Sequence, residues 1–159
     1  MTPAQLQAIE EFRRLRGTDP FGPFVPLLKS PELLTRVSSL GEYLRYRSAL
    51  LPRLSEFVIL ITAAHWRQQY EWDLHAPIAL KAGLTQSILD AIAAGQRPEG
   101  LAEDEAALYD FCRAVHAGGH PAEAVHARAT QALGEQGVID AIGICGYYAL
   151  LAMVLNTGA

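Results

Sequence analysis

Residues 52–82 read Pro52-Arg-Leu-Ser-Glu56-Phe-Val-Ile-Leu-Ile-Thr-Ala-Ala-His65-Trp-Arg-Gln-Gln-Tyr70-Glu-Trp-Asp-Leu-His75-Ala-Pro-Ile-Ala-Leu-Lys-Ala82, and Gly83 closes the run. Proline is favoured at the first position of a helix, so Pro52 opens one that extends to about His65. A second helix runs from about Gln69 to Ala82 and stops at Gly83. As one straight helix, Glu56 and His75 would lie about 28 Å apart at 1.5 Å per residue. If the chain instead reverses near Trp66, Glu56 lies ten residues before the turn and His75 nine after it. An antiparallel helical hairpin then brings the two to nearly the same height. Glu71 and His75 are four apart and share a helix face. Pro77 removes an N–H from that helix beside His75 and frees the Asp73 carbonyl.

The same punctuation continues on either side. Thr2-Pro3-Ala4-Gln5 carries a capping box with proline at the first helical position, and Gly17 ends the helix it starts. Thr18 to Ser30 holds Pro20, Gly22, Pro23 and Pro26, so it predicts a loop, and its Phe21, Phe24, Val25, Leu27 and Leu28 must pack onto something. Ser30-Pro31-Glu32 starts the next helix. Downstream, Thr85 caps a short helix to Ala94, Glu103 to His116 is amphipathic, Pro121 opens a helix to about Leu133, and the last runs from Glu135 to about Leu155. No segment alternates with period two for long. The expected fold class is all-α, a single-domain helical bundle.

The composition narrows the function. Of 159 residues half are hydrophobic and 19% charged, which excludes disorder and leaves apolar surface for self-association. The net charge of −4 comes without a basic cluster, so no nucleic-acid partner is expected. Cys112 and Cys145 belong to no CxxC and read as small buried hydrophobes. Ala141 to Leu155 carries no charge but falls short of the ~20 residues of a bilayer span, and it reads as a core or subunit-interface helix, not a membrane segment. The N-terminus lacks a basic stretch followed by an apolar core, so a cytoplasmic setting is expected.

Three pieces together carry a family resemblance: Leu51-Pro52-Arg53-Leu54-Ser55-Glu56, then Tyr70-Glu71-Trp72 followed by His75, then Ala82-Gly83-Leu84-Thr85. With them the chain resembles the carboxymuconolactone decarboxylase family of the alkylhydroperoxidase D-like superfamily, over roughly Ser30 to Phe111. The resemblance divides the chain into an N-terminal helix and proline-rich loop (1–30), a family-like core (30–111) and C-terminal helices (112–159). It implies an all-helical homo-oligomer, a trimer or hexamer. It departs from the peroxidase branch, whose CxxC positions are here Gln68 and Glu71, so a thiol-dependent alkylhydroperoxidase-like antioxidant is the disfavoured alternative. A non-enzymatic small-molecule-binding oligomer is the other.

The resemblance implies decarboxylation of a small carboxylated lactone, or of a related intermediate of aromatic-compound breakdown. No cofactor is chemically required, because the conjugated ring carbonyl takes up the electrons. His75 would be the general acid, with Glu56 orienting its ring. Glu71 would be a second proton carrier or an electrostatic push. Tyr70 and Trp72 would line the pocket, and Arg53 (with Arg45 and Arg47 as further candidates) would meet the anionic substrate. Each residue also has a plainer reading. Glu56 could pair with Arg53 on its own helix, Glu71 could be a solvated carboxylate, and the two aromatics could serve the core or an interface. His65 reads as a surface residue. No metal is expected, since Glu71 with His75 needs a third ligand, from Glu56 or His65.

Overall fold

The computed structural model describes residues 1–158, in which eight helices and no strand occur. They are α1 (Pro3–Arg16), α2 (Phe24–Leu27), α3 (Pro31–Tyr46), α4 (Pro52–His65), α5 (Gln69–Ala82), α6 (Gln86–Ala93), α7 (Glu103–Gly118) and α8 (Glu123–Asn156). The capping box of α1 is formed, with Gln5 N donating to Thr2 Oγ1 (3.2 Å) and Thr2 N to Gln5 Oε1 (2.8 Å). Gly17 ends that helix in the left-handed region, at φ 72°.

Helix α4 is the axis of the molecule. Every residue from Leu54 to Ala63 is buried, because α5, α6, α7 and α8 all pack around it. The α4–α5 reversal is made by Trp66 and Arg67, the latter at φ 52°. Gln68 then caps α5 by accepting a hydrogen bond from Tyr70 N (2.8 Å). Helix α5 passes through Pro77 without a break.

Two boundaries differ from the sequence expectation. The 18–30 segment is not helix-free: Phe24–Leu27 forms one turn, α2, which tolerates Pro26 because the N–H groups of a first turn have no helical acceptor. The last two expected helices are present as the two arms of α8, separated at Gly134 (φ 75°, ψ 164°), which lies outside helical geometry; what differs is the start, at Glu123 after an extended Ala122 and not at Pro121. The bend falls between the expected end at Leu133 and restart at Glu135, at the residue with no Cβ to oppose it.

Helix α8 is held in a fixed rotation by a buried carboxylate. Asp140 accepts from Tyr43 Oη at 3.0 Å and from Ala49 N at 2.7 Å, tying α8 to the end of α3 and the loop after it. By length and composition α8 could cross a bilayer, yet half of its most apolar window is buried within the fold. Its inward face, including Ile144, Tyr148 and Leu151, joins one cluster with Phe12, Phe24, Leu34 and the α4 side chains.

Candidate active site

The hairpin register places Glu56 and His75 in contact. His75 Nδ1 lies 2.8 Å from Glu56 Oε2, and Nε2 lies 3.5 Å from Glu71 Oε2. The first is a full hydrogen bond; the second is an ion-pair distance at which hydrogen bonding is weak. The imidazole therefore stands between two carboxylates, one on each edge. All three residues are nearly sealed, at 1% exposure for His75, 2% for Glu71 and 4% for Glu56. The Tyr148 ring meets the imidazole edge-on, with centroids 5.3 Å apart. Burial lowers the affinity of His75 for its proton, but the bonds and charges of Glu56 and Glu71 outweigh it, and the pKa is raised above the ordinary histidine value.

Glu71 and His75 form part of the wall of a cavity of about 20 Å³ at the meeting of α3, α5, α8 and the segment between α1 and α2. Glu56 stands behind His75, away from it. Phe21, Pro23 and Phe24 close one side and Tyr70, Tyr147 and Leu151 the others. Two arginines also face it, Arg16 and Arg45. Arg16 Nη2 makes long contacts to Ser38 O (3.3 Å) and Tyr147 Oη (3.4 Å), while its buried Nε has no partner. The Arg45 guanidinium lies 5.3 Å from the Tyr46 ring. Among the described residues neither arginine makes an ion pair. Burial pushes the Tyr147 hydroxyl up to about 12 against the opposing pull of Arg16, so it stays protonated as a donor at neutral pH.

Tyr70 is at this cavity, as the sequence suggests. Trp72 is not: it packs against the core on the other flank of α5 and lines a separate cavity of about 360 Å³ with Ala63, Arg67 and Gln68. Arg53 is also elsewhere, held by Asp104 (2.7 Å) and Glu105 at the start of α7. Arg53 therefore does not line the His75 cavity, and Glu56 bonds His75 where a pair with Arg53 was the plainer expectation. Arg47 is committed to Glu42 at the surface, which leaves Arg45 as the one of the three that reaches the site. Glu71 is buried, not solvated.

Arg16, Phe21, Phe24 and Tyr147 are what sequence reasoning missed. Two signals were available: an apolar proline-rich loop with nothing to cover, and adjacent tyrosines in a charge-free helix, whose hydroxyls need partners when buried. At the positions where a CxxC would stand, Gln68 bonds Asn156 Oδ1 (2.7 Å) and Glu71 faces the imidazole. No three His, Cys, Asp or Glu side chains among the described residues converge as metal ligands. The reason is visible at His75, whose two carboxylates lie on opposite edges of the ring and cannot share one ion with it.

The carboxymuconolactone decarboxylase family model matches residues 31–114, which span α3 to most of α7 and include Glu56, Glu71 and His75. No curated protein matches the chain.

Proposed function

The chain belongs to the carboxymuconolactone decarboxylase family, and from that premise we propose that it is a cofactor-independent carboxy-lyase acting on a small unsaturated lactone that bears carboxylates. The observation that carries this reading is the pairing, at one cavity, of a histidine with raised pKa and two arginines that make no ion pair among the described residues. A protonated acid and two unpaired cations suit an anion that must accept a proton.

In the proposed reaction the carboxylate leaves as carbon dioxide. Its bonding electrons pass through the ring to the conjugated lactone carbonyl, giving a dienolate. Arg16 and Arg45 attract the substrate's carboxylates, and the Tyr147 hydroxyl is a neutral donor within reach of developing oxyanion charge. His75 delivers the proton to carbon from Nε2, the edge nearer the cavity. Glu56 positions it: by accepting the Nδ1 hydrogen it fixes the ring and holds its charge. Glu71 sits beside Nε2 and returns a proton to it after each turnover.

A cavity of about 20 Å³ holds a water, not a lactone. The Phe21–Phe24 segment must therefore lift to admit substrate and settle again to exclude water. In this reading the N-terminal extension belongs to the machinery.

The test is an assay of purified protein for loss of lactone ultraviolet absorbance, beside His75→Ala and Glu56→Gln. Turnover that disappears in the first variant and falls in the second supports the assignment. Unchanged turnover in both, or none in the parent across a panel of carboxylated lactones, removes it.

A further inference from the structure

Cys112 and Cys145, 33 residues apart in sequence, meet inside the molecule with their sulfurs 3.8 Å apart. One lies on α7, the other on α8, and both are buried, at 0% and 3% exposure. They are not isolated in hydrocarbon. His116, one turn after Cys112 on α7, and Thr62 of α4 stand close enough to Cys145 to favour its thiolate. His116 Nε2 is also 3.0 Å from Thr62 Oγ1, so the three polar groups form a connected set. The His116 ring stacks on His65 at 4.6 Å, and His65 lines an open cavity of about 330 Å³. His116 is itself only half-buried, so a proton it takes up can pass to solvent. None of these groups belongs to the His75 site.

We propose that Cys112 and Cys145 are a redox-active pair that closes to a disulfide bridging α7 and α8, with His116 as proton acceptor and a small hydroperoxide as oxidant. The burial of both sulfurs limits the oxidant to one scarcely larger than water, and hydrogen peroxide is the probe. Cys145 passes its proton to His116, and its thiolate attacks one peroxide oxygen. The O–O bond breaks, water leaves with the proton from His116, and Cys145 becomes a sulfenic acid. The Cys112 sulfur then attacks the Cys145 sulfur. The S–O bond breaks and a second water leaves, carrying the Cys112 proton. Two thiols are oxidised and one peroxide is reduced. The electrostatics favour this order: the hydrogen-bonded contact with Cys112, against burial, with help from His116, pulls the Cys145 thiol below its ordinary range, while the same contact and burial push Cys112 up.

The experiment uses the whole native chain, whose only cysteines are these two. Protein is treated with hydrogen peroxide, quenched in acid, unfolded and titrated for thiols, with intact mass recorded. The expected result is loss of both thiols together and a mass lower by two hydrogens on a chain that stays single. Dithiothreitol should reverse the change, and the Tm should be higher in the oxidised form. In Cys112→Ser, Cys145 should stop at a dimedone-trappable sulfenic acid. His116→Gln, by raising the Cys145 pKa about one unit from about 5, should slow thiol loss about fivefold at pH 5, with little change at neutral pH. The proposal is overturned if native thiols survive peroxide that consumes them in the unfolded chain. A link between chains, or oxygen added to wild-type Cys145 without a bridge, overturns it equally, and these readouts need no variant to fold.

Discussion

His75 is a histidine whose protonated form the fold prefers, and that has consequences for stability as well as catalysis. Its folded pKa is raised, so the stabilisation from its charged contacts is complete below the unfolded value of about 6.5 and is lost as pH rises through the folded pKa. The Tm advantage of the parent over His75→Gln should therefore be largest in mildly acidic buffer and shrink through neutral into alkaline pH. An advantage that grows with pH would contradict the charged state assigned here. For turnover, His75 must carry its proton, so activity should fall on the alkaline side. Glu56→Gln removes one of the two charges that hold the proton and should move that fall about one pH unit lower, read from a pH–rate profile. The arginines give a second contrast. Arg16→Gln should raise KM about tenfold, the ~1.4 kcal/mol of one charge-assisted bond, with little change in Tm. Arg53→Gln should leave KM alone and lower stability by about 1–3 kcal/mol, because it takes the cation from the buried Glu105 and leaves only the Ala102 N bond to that carboxylate. The sequence disclosed the Glu56–His75 contact because both residues sit at fixed distances from one turn. The partners of Arg53 were not legible, because the carboxylates that hold it lie some fifty residues downstream, at the start of α7, beyond any local spacing rule.

At the scale of elements, the site depends on how closely α3 approaches the tip of α1 and the inner face of α8. Gly41 on α3 makes that approach: a Cβ there would fall 2.1 Å from Tyr147 Oη and 2.6 Å from Arg16 Nη2. Alanine is the better helix former by about 1 kcal/mol, so local propensity alone predicts that Gly41→Ala stabilises. Overlap with two packed side chains costs about 1–3 kcal/mol and should win. The variant should lose Tm and lose activity more than its Tm explains, since the atoms displaced are the proposed anion and oxyanion donors. Thermal melts beside kcat and KM separate the two effects, and a Gly41→Ala protein with full activity would show that neither side chain matters. Most helix limits were readable, because prolines, left-handed glycines and capping threonines act within one turn. The α2 turn and the cap it forms over His75 were not. They depend on Phe21 and Phe24 meeting Phe12 of α1 at centroid distances of 6.1 and 5.0 Å, contacts that no local pattern specifies.

For the molecule as a whole, α8 has two apolar faces and the fold covers one. Asp140 fixes its rotation through Tyr43 and Ala49, so the outward face is determined: Ile139, Ile142 and Met153 remain 65%, 42% and 44% exposed. These positions recur at intervals of three and eleven along one stripe of the helix, the pattern of a side chain row awaiting a neighbour. Covering a fully exposed isoleucine is worth about 1.5–3 kcal/mol, so each of these partly exposed ones contributes about half of that. We propose that the neighbour is a second copy of this chain, as an oligomer built on α8 would require. Sedimentation should then give a mass several times that of one chain. Ile139→Glu with Ile142→Glu should reduce it to the single-chain value while circular dichroism retains the helical signal, because neither side chain contributes to the inner core. The double variant should keep its Glu56–His75 contact, since both partners belong to α4 and α5 of one copy. A parent that sediments as a single chain would refute the assembly, and a variant that unfolds would show that the stripe supports the monomer. Retained turnover in a dissociated variant would establish that one chain builds the whole site.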